Sequence, residues 1–314
     1  MQSVPPPASG GGRGDAIHTE GLTKRYGERT AVNGLSIRVA RGGVVGFVGP
    51  NGAGKTTTIR MLMGLVRPTA GQATILGESI TRPSRYLDRV GALIEAPAFY
   101  PALTGRRNLR ALATLGGHGA ERVDDLLAQV GLADRGDHLY KSYSLGMKQR
   151  LGIAASLLSD PDLLILDEPT NGLDPAGIHE MRDFLQSLGK KGKTIFVSSH
   201  LLSEIQRMCD RLVVLRLGTL VFQGTVAELE ATSTAIIAVP QQPAQAGRLV
   251  ALCKAAGHAA TQRDGTVTIQ APDAWCAELN SKAMRAGIVL RELRPHTFDL
   301  EERILDMTGR EAKA

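Results

Sequence analysis

Short apolar runs set off by glycine-marked turns dominate the first two thirds of the chain. Residues 35–39 and 44–48 flank the turn Arg41-Gly42-Gly43 and read as strands, the second apolar throughout, as a strand buried on both faces is. It enters a glycine-rich loop and then residues 56–65, whose apolar spacing predicts an amphipathic helix. Strand, glycine loop and helix in that order predict an α/β fold with a phosphate site. Helical periodicity prevails from about residue 97 to 160, as in Val123, Leu126, Leu127 and Val130 ahead of Gly131. Residues 163–166 and 194–198 are two further buried-strand runs, and 211–222 is a last β-rich stretch.

Beyond Gly224 the pattern changes. Strand, helix, a hairpin about Asp264-Gly265, helix and strand follow over residues 235–239, 245–256, 272–286 and 288–293. That β-α-β-β-α-β order predicts a small α+β, ferredoxin-like module, with residues 298–307 as a closing amphipathic helix.

Hydrophobic residues at 43% and charged residues at 22% exclude disorder of the whole chain. No apolar run approaches the roughly 20 residues of a membrane helix. The opening segment, rich in Pro and Gly, has no apolar core and reads as a disordered tail rather than a secretory signal. Three cysteines, Cys209, Cys253 and Cys276, lack any C-x-x-C spacing, which argues against a disulfide framework or zinc ribbon and fits a reducing cytoplasm. The net charge of +6 comes from the part before residue 225. With only 4% aromatic residues there is little to build a base-stacking platform, so a scattered basic surface is the simpler account and no nucleic acid is expected.

Gly49-Pro50-Asn51-Gly52-Ala53-Gly54-Lys55-Thr56 satisfies G-x-x-x-x-G-K-[ST] between a predicted strand and helix. Glycines let backbone N–H groups approach phosphates, and the helix N-terminus adds partial positive charge. Lys55 can reach the β- and γ-phosphates, and the Thr56 hydroxyl can ligate Mg²⁺. Asp167 and Glu168 close the run 163–166, where ligands of open α/β sheets bind. Asp167 suits Mg²⁺ and Glu168 suits proton abstraction from an attacking water; an acidic helix cap is the plainer reading of the pair. His200 follows the strand 194–199, placed to hydrogen-bond the γ-phosphate or the water, although a lone histidine is more often structural. Ser144 and Gly146 precede a predicted helix over 149–158, which is either an ordinary serine cap or a second anion-binding helix end.

P-loop, Ser-x-Gly run, strand-Asp-Glu and strand-His, in this order, resemble the ATP-binding subunit of an ABC transporter, a P-loop NTPase, over residues 16–224. The family signature Leu-Ser-Gly-Gly-Gln is reduced here to Tyr143-Ser144-Leu145-Gly146-Met147. The resemblance makes Asn171-Gly172-Leu173-Asp174 the loop whose Asp174 touches a second subunit. It makes Tyr26 the aromatic that stacks on adenine, adds Thr57 to the phosphate loop, and puts Glu95 where the family has glutamine. Glutamate there resembles the bacitracin-resistance and lantibiotic-immunity branch, and a carboxylate can ligate Mg²⁺ directly while repelling the γ-phosphate.

The implied organisation is a tail over 1–15, an ABC ATP-binding domain over 16–224 with a helical subdomain at about 97–160, and an accessory domain over 225–314. The implied function is hydrolysis of ATP with Mg²⁺ by a pair of such subunits, one copy's Lys55 facing the other's Ser144. This would power a separate membrane permease that exports an antibiotic, peptide or drug-like compound. The chain would sit in the cytoplasm, peripheral on the inner face of the membrane, with Phe99 and Tyr100 in its docking surface. A soluble ABC ATPase acting on ribosome or DNA is the rival, but such proteins carry two ATPase units or a long coiled-coil insertion. A sensor that binds without hydrolysing fits poorly with Lys55, Asp167, Glu168 and His200 all present.

Overall fold

A computed structural model of the chain describes residues 14–95, 99–231 and 234–297. They fall into two compact units, the first ending at Gly224 and the second opening at Thr225. The first unit begins with β1 (Ile17–Tyr26), β2 (Arg29–Leu35) and β3 (Arg38–Val39). Next come β4 (Gly43–Val48) and α1 (Lys55–Leu62), then β5 (Ala70–Ile75) and β6 (Glu78–Ser79). β1, β2, β3, β5 and β6 pair antiparallel in one sheet. Their burial alternates irregularly because only one face meets the core; β1 carries Ile17 and Leu22 inward and Glu20 and Arg25 outward.

β7 (Val90–Leu93) is followed by α2 (Gly105–Leu115), α3 (Val123–Gln129) and α4 (Leu145–Ser156), the helical stretch foreseen from periodicity. Then come β8 (Leu163–Asp167), α5 (Pro175–Lys190), β9 (Thr194–Ser199), α6 (Leu202–Met208), β10 (Arg211–Arg216) and β11 (Thr219–Thr225). The second sheet runs in the order β11-β10-β4-β9-β8-β7, with β10, β4, β9, β8 and β7 parallel. A parallel sheet is covered on both faces, which is why β8 and β9 are buried at every residue. One apolar cluster fills the space between the two sheets and α1, including Ile17, Leu22, Phe47, Ile59, Ile75, Ile165 and Phe196. Phe47 and Phe196, on neighbouring strands, bring their ring centroids to 4.8 Å.

The second unit holds α7 (Val226–Ala231), β12 (Thr234–Pro240), α8 (Ala246–Ala255), β13 (Ala260–Arg263), β14 (Thr266–Ile269), α9 (Cys276–Arg285) and β15 (Leu290–Thr297). Its antiparallel sheet takes the order β13-β14-β12-β15, the split βαβ arrangement of ferredoxin-like modules. Asp264 and Gly265 join β13 to β14 with φ of 48° and 76°, the doubly left-handed turn that suits a two-residue hairpin. Leu249, Cys253, Trp275 and Leu279 lie in a core of its own. Cys209, Cys253 and Cys276 are all free thiols, the first two buried. The expected closing helix at 298–307 lies outside the described residues, and α7 was not expected.

Candidate nucleotide site

β4 delivers the glycine loop to the carboxyl edge of the parallel sheet, and the loop turns directly into α1. Gly54 caps that helix at φ 102°, and a Cβ there would come within 2.5 Å of the Ala31 carbonyl oxygen. Only glycine meets both demands. No side chain caps α1, so its first N–H groups remain turned to the loop. Lys55, only 6% exposed, donates from Nζ to the Gly49 carbonyl at 2.6 Å and stands 3.3 Å from Glu168 Oε1.

Two strands over from β4, beyond β9, β8 ends in Asp167, and Glu168 follows it. The Thr56 hydroxyl donates to Asp167 Oδ2 at 2.7 Å, joining helix start and strand end. The other carboxylate oxygen of Asp167 accepts from the Ser198 hydroxyl, which in turn accepts from the Glu168 backbone N–H at 3.0 Å. A single buried serine on β9, the strand between, thus ties the two carboxylate residues together. Glu168 turns out of the strand at φ 51°, a left-handed conformation that side-chain-bearing residues rarely hold. The turn aims its carboxylate at Lys55 and at His200, whose Nδ1 lies 2.8 Å from Oε2. Since an ionised carboxylate only accepts, the imidazole proton of that pair sits on Nδ1.

Of these groups Lys55, Thr56, Glu168 and His200 line a cavity of about 490 Å³, with Tyr26, Arg29, Asn51, Gly52, Ala53, Gly54, Thr57 and Asn171. A second cavity, of about 590 Å³, is lined by Ser144, Gly146 and Asp174 with Arg135 and Arg150. Ser144 caps α4 by accepting from the Met147 N–H at 3.2 Å, and Asp174 caps α5 by accepting from the Gly177 N–H at 3.0 Å. Ahead of Ser144, Tyr143 is buried with its hydroxyl donating to the Arg135 carbonyl at 2.7 Å, and burial pushes its pKa up. Gly172 lies against Leu145, so the 171–174 loop packs on the start of α4. Pro50 is exposed at the rim of the loop.

Glu95 does not join the cluster of Thr56 and Asp167. It is largely exposed, holds φ 64° and pairs with the Arg60 guanidinium on α1. Tyr100 is exposed, whereas Phe99 packs edge-on against Tyr140 at 5.1 Å. Reading from sequence missed Ser198, Arg29 and Arg60; the serines ending an otherwise apolar run at 195–197 were the available signal for the first.

The family model described as ABC transporter matches residues 32–171. The Enterococcus faecalis protein named Bacitracin transport ATP-binding protein BcrA is 40% identical over 299 residues, covering 93% of this chain and 96% of the relative. The chain belongs to the ABC transporter ATP-binding proteins. The Streptococcus pyogenes protein named Lantibiotic transport ATP-binding protein SrtF is 43% identical over 194 residues, 62% of this chain and 84% of its own. A solved structure described as the ATP binding subunit of an ABC transporter superposes with a TM-score of 0.62 at 32% identity, covering 68% of this chain and 92% of that one. The first unit is therefore an ABC ATPase cassette, a transporter's ATP-binding subunit, and its relatives lie in the antibiotic-export branch that Glu95 suggested. Among the described residues no helix is long and apolar enough to cross a membrane.

Proposed function

We propose that the chain hydrolyses ATP to drive a separate membrane permease that exports an antibiotic, peptide or drug-like compound. The observation that carries the reading is the meeting of Lys55, Asp167, Glu168 and His200 at one edge of the sheet. The α1 N-terminus and Lys55 hold the phosphates, with Thr57 and the 49–54 backbone around them. Tyr26 takes the adenine. Thr56 and Asp167 offer hard oxygen donors 2.7 Å apart, a set that fits Mg²⁺. The ion, when bound, would neutralise charge on the phosphates.

Glu168 accepts the proton of the attacking water, and His200 holds its carboxylate in place through the Nδ1 proton. Nucleotide phosphates arriving at Lys55 draw its ammonium off Glu168 and free that carboxylate to meet the water. Ser144, Gly146 and Asp174 line a different cavity from Lys55 within one chain. They reach a nucleotide on Lys55 only if a second subunit supplies them, which favours a head-to-tail pair. Glu95, paired with Arg60, stands outside the Thr56–Asp167 oxygen set and is left out of the metal site. Association with a permease would place the chain at the inner face of the membrane.

The test is recovery of the tagged chain from detergent-solubilised membranes of its own host, with mass spectrometry of what co-purifies. A stoichiometric polytopic protein supports the permease reading; ribosomes or nucleic acid without one overturn it.

A further inference from the structure

The hairpin of β1 and β2 presents a cation to the nucleotide cavity. Tyr26 and Arg29 are direct cross-strand partners on either side of the two-residue turn Gly27-Glu28. Directly opposed residues send their side chains to the same face, and both line the cavity that holds Lys55 and Gly52. Neighbouring cations are already engaged. Lys55 is opposed by Glu168, Arg60 by Glu95, and Lys24 donates to the Arg67 carbonyl at 2.8 Å while lying 5.0 Å from the Tyr26 ring centroid. The Arg29 guanidinium has no hydrogen bond or ion pair among the described residues. One of its terminal nitrogens stands 3.9 Å from the place a Cβ on Gly52 would take, beside the phosphate loop.

We infer that Arg29 is a nucleotide-binding residue that pairs with a non-bridging phosphate oxygen while Tyr26, its cross-strand partner, takes the base. A guanidinium offers a planar fork of donors and no acceptor, which matches two phosphate oxygens and fits poorly the adenine edge, where an acceptor stands beside an N–H₂ donor. Its charge is the one in the cavity that no carboxylate offsets among the described residues, so it also adds to the pull on an incoming polyanion. The hairpin thereby reads both ends of the nucleotide from one two-residue turn. This inference rests on the proposed nucleotide site.

The experiment is calorimetric titration of the full chain and of Arg29→Gln, Arg29→Lys and Lys55→Ala with ATP, ADP and GTP at two salt concentrations. Losing one charge-assisted contact should weaken ATP, ADP and GTP by a common factor of about ten in Arg29→Gln. Arg29→Lys should recover part of that, and the salt dependence of binding should become shallower in Arg29→Gln. Unchanged affinity with unchanged salt dependence overturns the inference, and so does a loss confined to one base. Lys55→Ala separates the two levels. If it binds ATP as the parent does, the nucleotide site itself fails; if it is impaired while Arg29→Gln is not, only the role of Arg29 fails.

Discussion

Glu168 shows how much a single position is asked to do. Its left-handed backbone costs on the order of 1–3 kcal/mol for a residue with a side chain. The return is a carboxylate reaching both Lys55 and His200. Glu168→Gln should keep nucleotide affinity within a few-fold, lower turnover at least about a hundredfold and accumulate a nucleotide-locked dimer. Equilibrium binding, phosphate release and size-exclusion in ATP check the three; undiminished turnover removes Glu168 from the role of base. Ser198 acts through its neighbours, so Ser198→Ala should lower kcat about tenfold and leave KM nearly unchanged. A parallel rise in KM would instead mark general damage to the loop. Lys55, Asp167 and Glu168 were readable from sequence because each sits at a fixed offset from a strand end. Ser198 and Arg29 were not, because their meaning lies in partners about 30 and 23 residues away in the chain. The Arg60–Glu95 pair is the same kind of miss, joining an exposed helix position to a loop 35 residues on.

At the scale of elements, α4 is the informative helix. Sequence left Ser144 as either a cap or an anion ligand, and the structure shows the cap. Three variants separate them. Ser144→Ala removes a cap worth about 1 kcal/mol, whereas Ser144→Asp restores an equally good cap and places a negative charge where a phosphate would come. If Ser144 meets the nucleotide of a second subunit, turnover should be low in both, with thermal stability lost only in Ser144→Ala. Recovery of turnover in Ser144→Asp would show a cap and nothing more, and Ser144→Thr should retain both properties. Buried elements were legible because continuous apolar runs such as those of β4, β8 and β9 have few other uses. The antiparallel strands β1, β2, β5 and β6 escaped, since half of each faces water and carries Thr, Glu, Gln or Asn. Their alternation is further broken by register shifts within β1.

For the molecule as a whole, each unit buries acids whose ionisation opposes folding. In the first, burial raises the Tyr86 phenol to about 12 from 10.0, its hydroxyl donating to the Leu62 carbonyl at 2.7 Å. In the second, burial raises the Cys253 thiol to about 11 from 9.0. Both folded values lie above the unfolded ones, so the folded chain holds more protons between them and stability falls as pH rises there. The urea midpoint should be insensitive to these groups below pH 9 and decline from about pH 9 to 12. Tyr86→Phe and Cys253→Ala should each flatten part of that decline; a parent midpoint level to pH 12 would contradict it. The second unit's strand order followed from its β-α-β-β-α-β sequence, because only a few topologies accept that order. The order in the first unit was not readable, since β4 neighbours strands about 150 and 170 residues further on.

That placement of β4 sets a timetable for the chain's birth. The phosphate-loop strand is made early, yet it has no partner until β9 and β10 leave the ribosome. β7 and β8 can pair before then, and so can β1 and β2. A nascent chain must therefore carry the apolar run of β4 unpaired through most of the synthesis of its first 200 residues. Capacity to hold nucleotide arrives late and all at once, when β9 slides between the loop and the carboxylates and brings Ser198 and His200 with it. Truncated products ending before Thr194 would own the whole phosphate motif and still have nothing to fold it against.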